Sequence, residues 1–133
     1  QLKPGKNASA MMRSHDNIIA NRYEKHGDWR KFPSAGSFFR NVEPTSKAGP
    51  RKSAGWFLEE AGAKNLHVNG AHCYAGHANI ITRDEGASAQ AVYDLALKMA
   101  EMVKAKFGIE LVREIRLLGE FNGAPSSKTR DYW

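Results

Sequence analysis

The chain has 133 residues, 41% hydrophobic and 26% charged, with a formal net charge of +6. That length suits one domain around one modest core, and no apolar run approaches the ~20 residues of a membrane-spanning helix. Cys73 is the single cysteine, which excludes an internal disulfide and fits a reducing, cytoplasmic setting.

The opening, Gln1-Leu2-Lys3-Pro4-Gly5-Lys6, carries neither an initiator Met nor a hydrophobic signal core and reads as a cut through a longer chain. Residues 8–26 are predicted to be a helix: Met11, Met12, Ile18, Ile19 and Tyr23 recur at three- and four-residue spacings, Arg13, Asp16, Arg22 and Lys25 fill the polar side, and Gly27 ends it. Residues 28–52, with Pro33, Pro44, Pro50, Gly36 and Gly49, read as loop. Ser53 caps a short helix over 53–61 and Gly62 supplies its exit.

Two short strands, 66–68 and 71–74, flank the turn pair Asn69-Gly70, and a third is expected over 77–82. Ser88 caps a long helix over 89–107. Its Val92, Leu95, Ala96, Met99, Met102, Val103 and Phe107 form one apolar stripe before Gly108. A last strand is expected over 109–118, with Ile109, Leu111, Ile115 and Leu117 on one side and Glu110, Glu114 and Arg116 on the other. Residues 120–133 read as a mobile tail. This order specifies an α+β domain.

Three groups of residues are candidates for chemistry. The segment Ser34–Asn41 places Ser37, Arg40 and Asn41 around Phe38 and Phe39, so two aromatic anchors hold polar donors in a loop; a surface turn pinned by its aromatics is the plainer reading. Glu114 in mid-strand beside Arg116 is either an acid or half of a solvated ion pair. His72, Cys73 and His77 fall short of the four ligands of a structural zinc site, and no metal is expected.

The charge is uneven: residues 1–53 hold 11 Lys and Arg against 4 Asp and Glu, and the remainder 9 against 10. An anionic ligand therefore fits the first part. Nucleic acid is disfavoured because no aromatics interleave with the Lys and Arg, and no membrane partner is expected.

Read together, Pro33–Asn41, Ala54-Gly55-Trp56-Phe57-Leu58-Glu59-Glu60-Ala61-Gly62, Gly70-Ala71, His77-Ala78-Asn79-Ile80-Ile81, Phe107–Leu111 and Glu114–Gly119 occur in the order of one known family. The sequence resembles the C-terminal domain of UDP-N-acetylenolpyruvoylglucosamine reductases, the MurB family, over most of residues 1–119. The resemblance implies an FAD- and NADPH-dependent oxidoreductase that reduces an enolpyruvyl ether on a UDP-sugar during peptidoglycan synthesis in the bacterial cytoplasm.

It also implies that Ser37 is the proton donor and Glu114 the assisting carboxylate, with Arg40, Asn41 and His77 at the substrate. Arg40 stands where Lys is common, Val42 where Pro is frequent, and Gly76 where many members have Lys. The family's FAD-binding domain precedes this region, so FAD and NADPH belong to the full-length enzyme and neither is expected on this chain alone. A stand-alone module that binds an anion or UDP-sugar without catalysis is the alternative.

Overall fold

The structure is a computed structural model that describes residues 7–28, 30–43 and 52–123. Helix α1 spans Ala8–His26; the Asn7 side chain accepts a hydrogen bond from the Ala10 amide, and Gly27, at φ 72°, closes the helix with its N–H on the Tyr23 carbonyl. None of its residues is buried.

Helix α2 is short, Ala54–Glu60, and is capped by Ser53, whose hydroxyl accepts from the Trp56 amide. A 3₁₀ turn over Ala63–Asn65 follows Gly62. Strands β1 (His67–Val68), β2 (Ala71–Tyr74) and β3 (His77–Arg83) form an antiparallel sheet in the order β1-β2-β3, with His67 opposite His72 and Cys73 opposite Ile81. Asn69 and Gly70 both take positive φ, 46° and 83°, the conformation of a type I′ hairpin turn.

Helix α3, Ala89–Phe107, lies across the sheet and α2. Its buried Leu95, Ala96, Met99 and Val103 share one apolar core with Phe57 and Leu58 of α2, Ala71 and Cys73 of β2, and Phe38 and Phe39 of the preceding loop. Five consecutive residues of β3, 78 to 82, are buried. Both faces of that strand are therefore covered, which is why it reads as a near-continuous apolar run.

The last predicted strand differs from its expectation. Residues 109–118 do alternate as read, Leu111 inward and Glu110, Glu114 and Arg116 exposed, but they form a single rung, Phe39 opposite Arg113. The partner segment around Phe39 is extended over only a few residues, so no ladder can build along the remainder. Beyond Gly119, Phe121 packs on Tyr93 with ring centroids 5.5 Å apart, and Asn122 and Gln90 exchange two hydrogen bonds. The start of the expected tail is thus attached to α3; residues 124–133 lie outside the described residues, as do residues 44–51 of the expected loop.

Candidate functional site

The loop Pro33–Asn41 is fastened to β3 along its length. The Thr82 hydroxyl donates to the Pro33 carbonyl at 3.5 Å, Ser37 pairs with Ile80, and the Phe38 amide donates to the Asn79 carbonyl at 2.8 Å. The Asn79 carboxamide then acts as a substitute peptide: its Oδ1 accepts from the Phe39 amide at 2.9 Å and its Nδ2 donates to the Phe39 carbonyl at 2.8 Å. Asn79 is 2% exposed. A polar side chain that deep is tolerable only when its hydrogen bonds are made, and these two fix the loop that carries Ser37.

On the far side of that loop runs the segment with Glu114. The Glu114 amide donates to the Phe38 carbonyl and the Arg40 amide to the Val112 carbonyl, both at 2.8 Å. Ser37 and Glu114, 77 residues apart in sequence, therefore stand on neighbouring extended segments. The buried Phe38 and Phe39, with ring centroids 5.1 Å apart, anchor the arrangement. Ser37 is half-buried; Glu114 and Arg40 are exposed.

Asn41 has a structural task as well, since its Oδ1 accepts from the Ala54 amide at 3.3 Å and joins the loop to the start of α2.

His77 lies apart from this pair. It precedes Ile80 by three residues on β3, about 10 Å at the ~3.3 Å rise of a strand residue. There it lines a shallow recess of about 250 Å³ with Ser53, Gly55, Trp56, Glu59, Gly76 and Ala78. Gly55 permits this closeness, because a Cβ on it would meet His77 Cε1 at 2.9 Å. His77 Nδ1 accepts from the Asn79 amide at 3.1 Å, which leaves the ring proton on Nε2 as the donor for a ligand.

Burial lowers the His77 pKa, and the charges of His26 and Lys64 lower it further, so the ring stays neutral at physiological pH. At the rim, Lys64 pairs with Glu59 at 2.6 Å, and Lys52 sits 3.7 Å over the Trp56 ring. Glu59 would repel an anion, and Lys64 offsets it.

The glycine at position 76 has a steric explanation. A Cβ there would meet the Tyr74 ring at 2.7 Å and the Lys25 carbonyl at 2.9 Å. The last turn of α1 occupies the space that a side chain would need.

Among the described residues no three His, Cys, Asp or Glu side chains form a metal site. His72 and Cys73 project to opposite faces of β2, and the Cys73 thiol is buried against the Ala63 and Ala78 carbonyls. Desolvation pushes its pKa up to about 11. The recess at His77, at about 250 Å³, is too small for a flavin dinucleotide, since pockets for much smaller ligands already run to ~300–1,000 Å³.

Asn79 is not among the candidate residues that the sequence singles out. Its signal was an amide inside the apolar run Ala78–Ile81 of a predicted strand, a position where a polar group must be matched by a partner.

The fold and this constellation define a small α+β domain that presents a serine and a carboxylate on neighbouring extended segments. The model of the C-terminal domain of UDP-N-acetylenolpyruvoylglucosamine reductase matches residues 28–118, and the chain belongs to that family. It is 34% identical over 127 residues to the UDP-N-acetylenolpyruvoylglucosamine reductase of Nostoc punctiforme, covering 93% of this chain and 35% of that protein. It is 35% identical over 121 residues to the one from Gloeobacter violaceus, covering 90% and 37%. The crystal structure of the Thermus caldophilus enzyme, MurB, superimposes with a TM-score of 0.56 at 25% identity, over 81% of this chain and 35% of that one. The chain thus spans little more than a third of the length of these relatives.

Proposed function

We propose that this chain is the substrate-side part of a UDP-N-acetylenolpyruvoylglucosamine reductase, an FAD- and NADPH-dependent oxidoreductase of peptidoglycan synthesis in the bacterial cytoplasm. The observation that carries this reading is the placement of Ser37 and Glu114 on neighbouring segments held by Phe38, Phe39 and the Asn79 carboxamide. FAD and NADPH belong to the part of the enzyme outside this chain. Reducing the enolpyruvyl double bond requires a proton at one of its carbons. Ser37 supplies it, and Glu114 stabilises the negative charge that develops or replaces the lost proton. Arg40, Asn41 and His77 hold the substrate, with His77 Nε2–H directed at an oxygen of it.

The test uses the full-length enzyme. Ser37→Ala should slow formation of the reduced UDP-sugar by ~10²–10⁴-fold, the range for removal of a general acid, while substrate affinity changes little. Turnover within a few-fold of wild type would remove Ser37 from the reaction.

A second reading is a stand-alone module that binds an anion or UDP-sugar without catalysis. It is favoured by the recess at His77, whose lining residues all belong to this chain. UDP-sugar binding to this chain, with no NADPH oxidation by any protein that contains it, would establish that reading instead.

A further inference from the structure

Two histidines of the β1–β2 hairpin lie outside both the Ser37 loop and the recess. His67 and His72 are directly opposite each other, and opposed residues of an antiparallel pair share one face with their Cβ atoms ~4.5–5.5 Å apart. Their rings stack, with centroids 5.6 Å apart and planes 22° from parallel. His67 is exposed and His72 half-buried.

Each ring is held on its Nδ1 side. His67 Nδ1 lies 3.4 Å from the Asn65 carbonyl oxygen. A carbonyl only accepts, so that contact puts the ring proton on Nδ1 and leaves the lone pair on Nε2. His72 Nδ1 faces the Asp84 carboxylate at 3.8 Å, which favours the same tautomer. Asp84 is itself fixed by backbone, since its amide donates to the Gly70 carbonyl at 2.8 Å. Arg83 donates to the Asp84 carbonyl rather than to its carboxylate. A carboxylate or carbonyl behind Nδ1, with Nε2 free in front, is the usual support of a metal-binding imidazole.

We propose that His67 and His72 form a two-histidine site for a late divalent transition metal, of the Zn²⁺ or Cu²⁺ class, on the outer face of the hairpin. Imidazole nitrogens suit those ions, whereas Mg²⁺ and Ca²⁺ call for oxygen ligands. Water completes the coordination. Asp84 is a positioning residue: it stands behind His72 rather than beside the ion, in keeping with the absence of any three-ligand group among the described residues. For both nitrogens to reach one ion at ~2.0–2.1 Å, the Nε2 atoms must come within ~4.2 Å of each other. A tilt of the two ring edges achieves this, because χ2 of histidine is a soft torsion. The partner of His72 is thus neither Cys73, which projects to the opposite face of β2, nor His77, which belongs to the recess.

Calorimetric titration of zinc chloride and of copper(II) chloride into the tag-free full-length protein tests the site. The wild type should bind the ion at this hairpin. Asp84→Asn should weaken binding on the order of tenfold, the low end for loss of a contact behind a ligand, and His67→Gln or His72→Gln should weaken it further. His15→Gln, which removes the histidine paired with Asp16 on α1, should leave binding unchanged. In electron paramagnetic resonance, stoichiometric copper should show two nitrogen ligands in the wild type and one in either hairpin variant.

Zinc should also raise the unfolding temperature of the wild type, as any ligand of the folded state does, and not that of the double variant His67→Gln, His72→Gln. Unchanged metal affinity in the double variant overturns the proposal. So does a wild type that binds neither ion, or binds one only on dimerising. If the double variant does not fold, the wild-type copper spectrum decides, and fewer than two nitrogen ligands in it overturns the site.

Discussion

Helices α1 and α3 each run for 19 residues, each starts on a side chain that accepts from the third helical amide, and each ends at a glycine with positive φ. By local rules they are equivalent. Yet α3 buries Ala91, Tyr93, Leu95, Ala96, Met99 and Val103, whereas α1 buries nothing. Capping and periodicity specify where a helix forms; the fold itself is decided by which apolar face finds a surface to cover. α3 has the sheet and α2. α1 meets the domain at its last turn, through His26, Lys25 and Gly27.

The largest expected effect sharpens this contrast. Leu95 is fully buried, so Leu95→Ala should cost ~2–5 kcal/mol of unfolding free energy. Ile19→Ala, an equally apolar truncation on α1, should stay within ~0.5 kcal/mol in the isolated chain. Urea denaturation of both variants checks the pair; comparable losses would show that α1 belongs to the cooperative core.

Next in size is the link between the sheet and the site. Asn79→Ala leaves the Phe39 amide and carbonyl in a buried setting without their partner, at ~1–3 kcal/mol for each unsatisfied group. The same variant in the full-length enzyme should lower turnover, because the loop that carries Ser37 is no longer held. Reduced stability with undiminished turnover would separate Asn79 from the site.

These two effects mark what the sequence could and could not say. The bounds of α1 and α3, the Asn69-Gly70 hairpin and the capping role of Ser53 were legible, since each rests on residues adjacent in the chain. The pairing of Ser37 with Ile80 and of Phe39 with Arg113 was not. Single rungs carry no periodic signal and depend on contacts between distant segments, and the same limit turned the expected strand over 109–118 into one bridge. Ser37 and Glu114 stood out in the sequence as candidates and took their roles from the resemblance, whereas their neighbouring placement is a property of Asn79 and the two phenylalanines. The recess at His77 was half legible: His77 stood out, but the Gly55 that admits it did not.

The caps give a smaller, cleaner comparison. Ser88→Ala removes the acceptor for the Ala91 amide, and Asn7→Ala the acceptor for the Ala10 amide. Each change costs ~1 kcal/mol of local helix stability. Ser88→Ala should shift the global urea midpoint, because α3 unfolds with the core. Asn7→Ala should leave that midpoint unchanged and show only as faster amide exchange in the first turns of α1. A shared shift would mean that α1 unfolds with the domain.

The smallest effect lies at the junction of the two regions. The His77 pKa lies below the ordinary value of 6.5, through burial first and then through His26 and Lys64, with Lys25 adding to the depression and Glu59 opposing it. An imidazole with a depressed folded pKa binds its proton more readily in the unfolded chain. Its contribution to stability is therefore complete above pH 6.5 and is lost as pH falls through the lower folded value. The urea midpoint of the isolated chain should decline on acidification below pH 6.5, and less steeply in His77→Gln. His26→Gln removes one of the repelling charges but not the burial, so its slope should fall between the two. If His26→Gln and wild type share one slope, His26 has no part in setting the His77 pKa, and the stacked pair is a steric contact between α1 and the sheet rather than an electrostatic one.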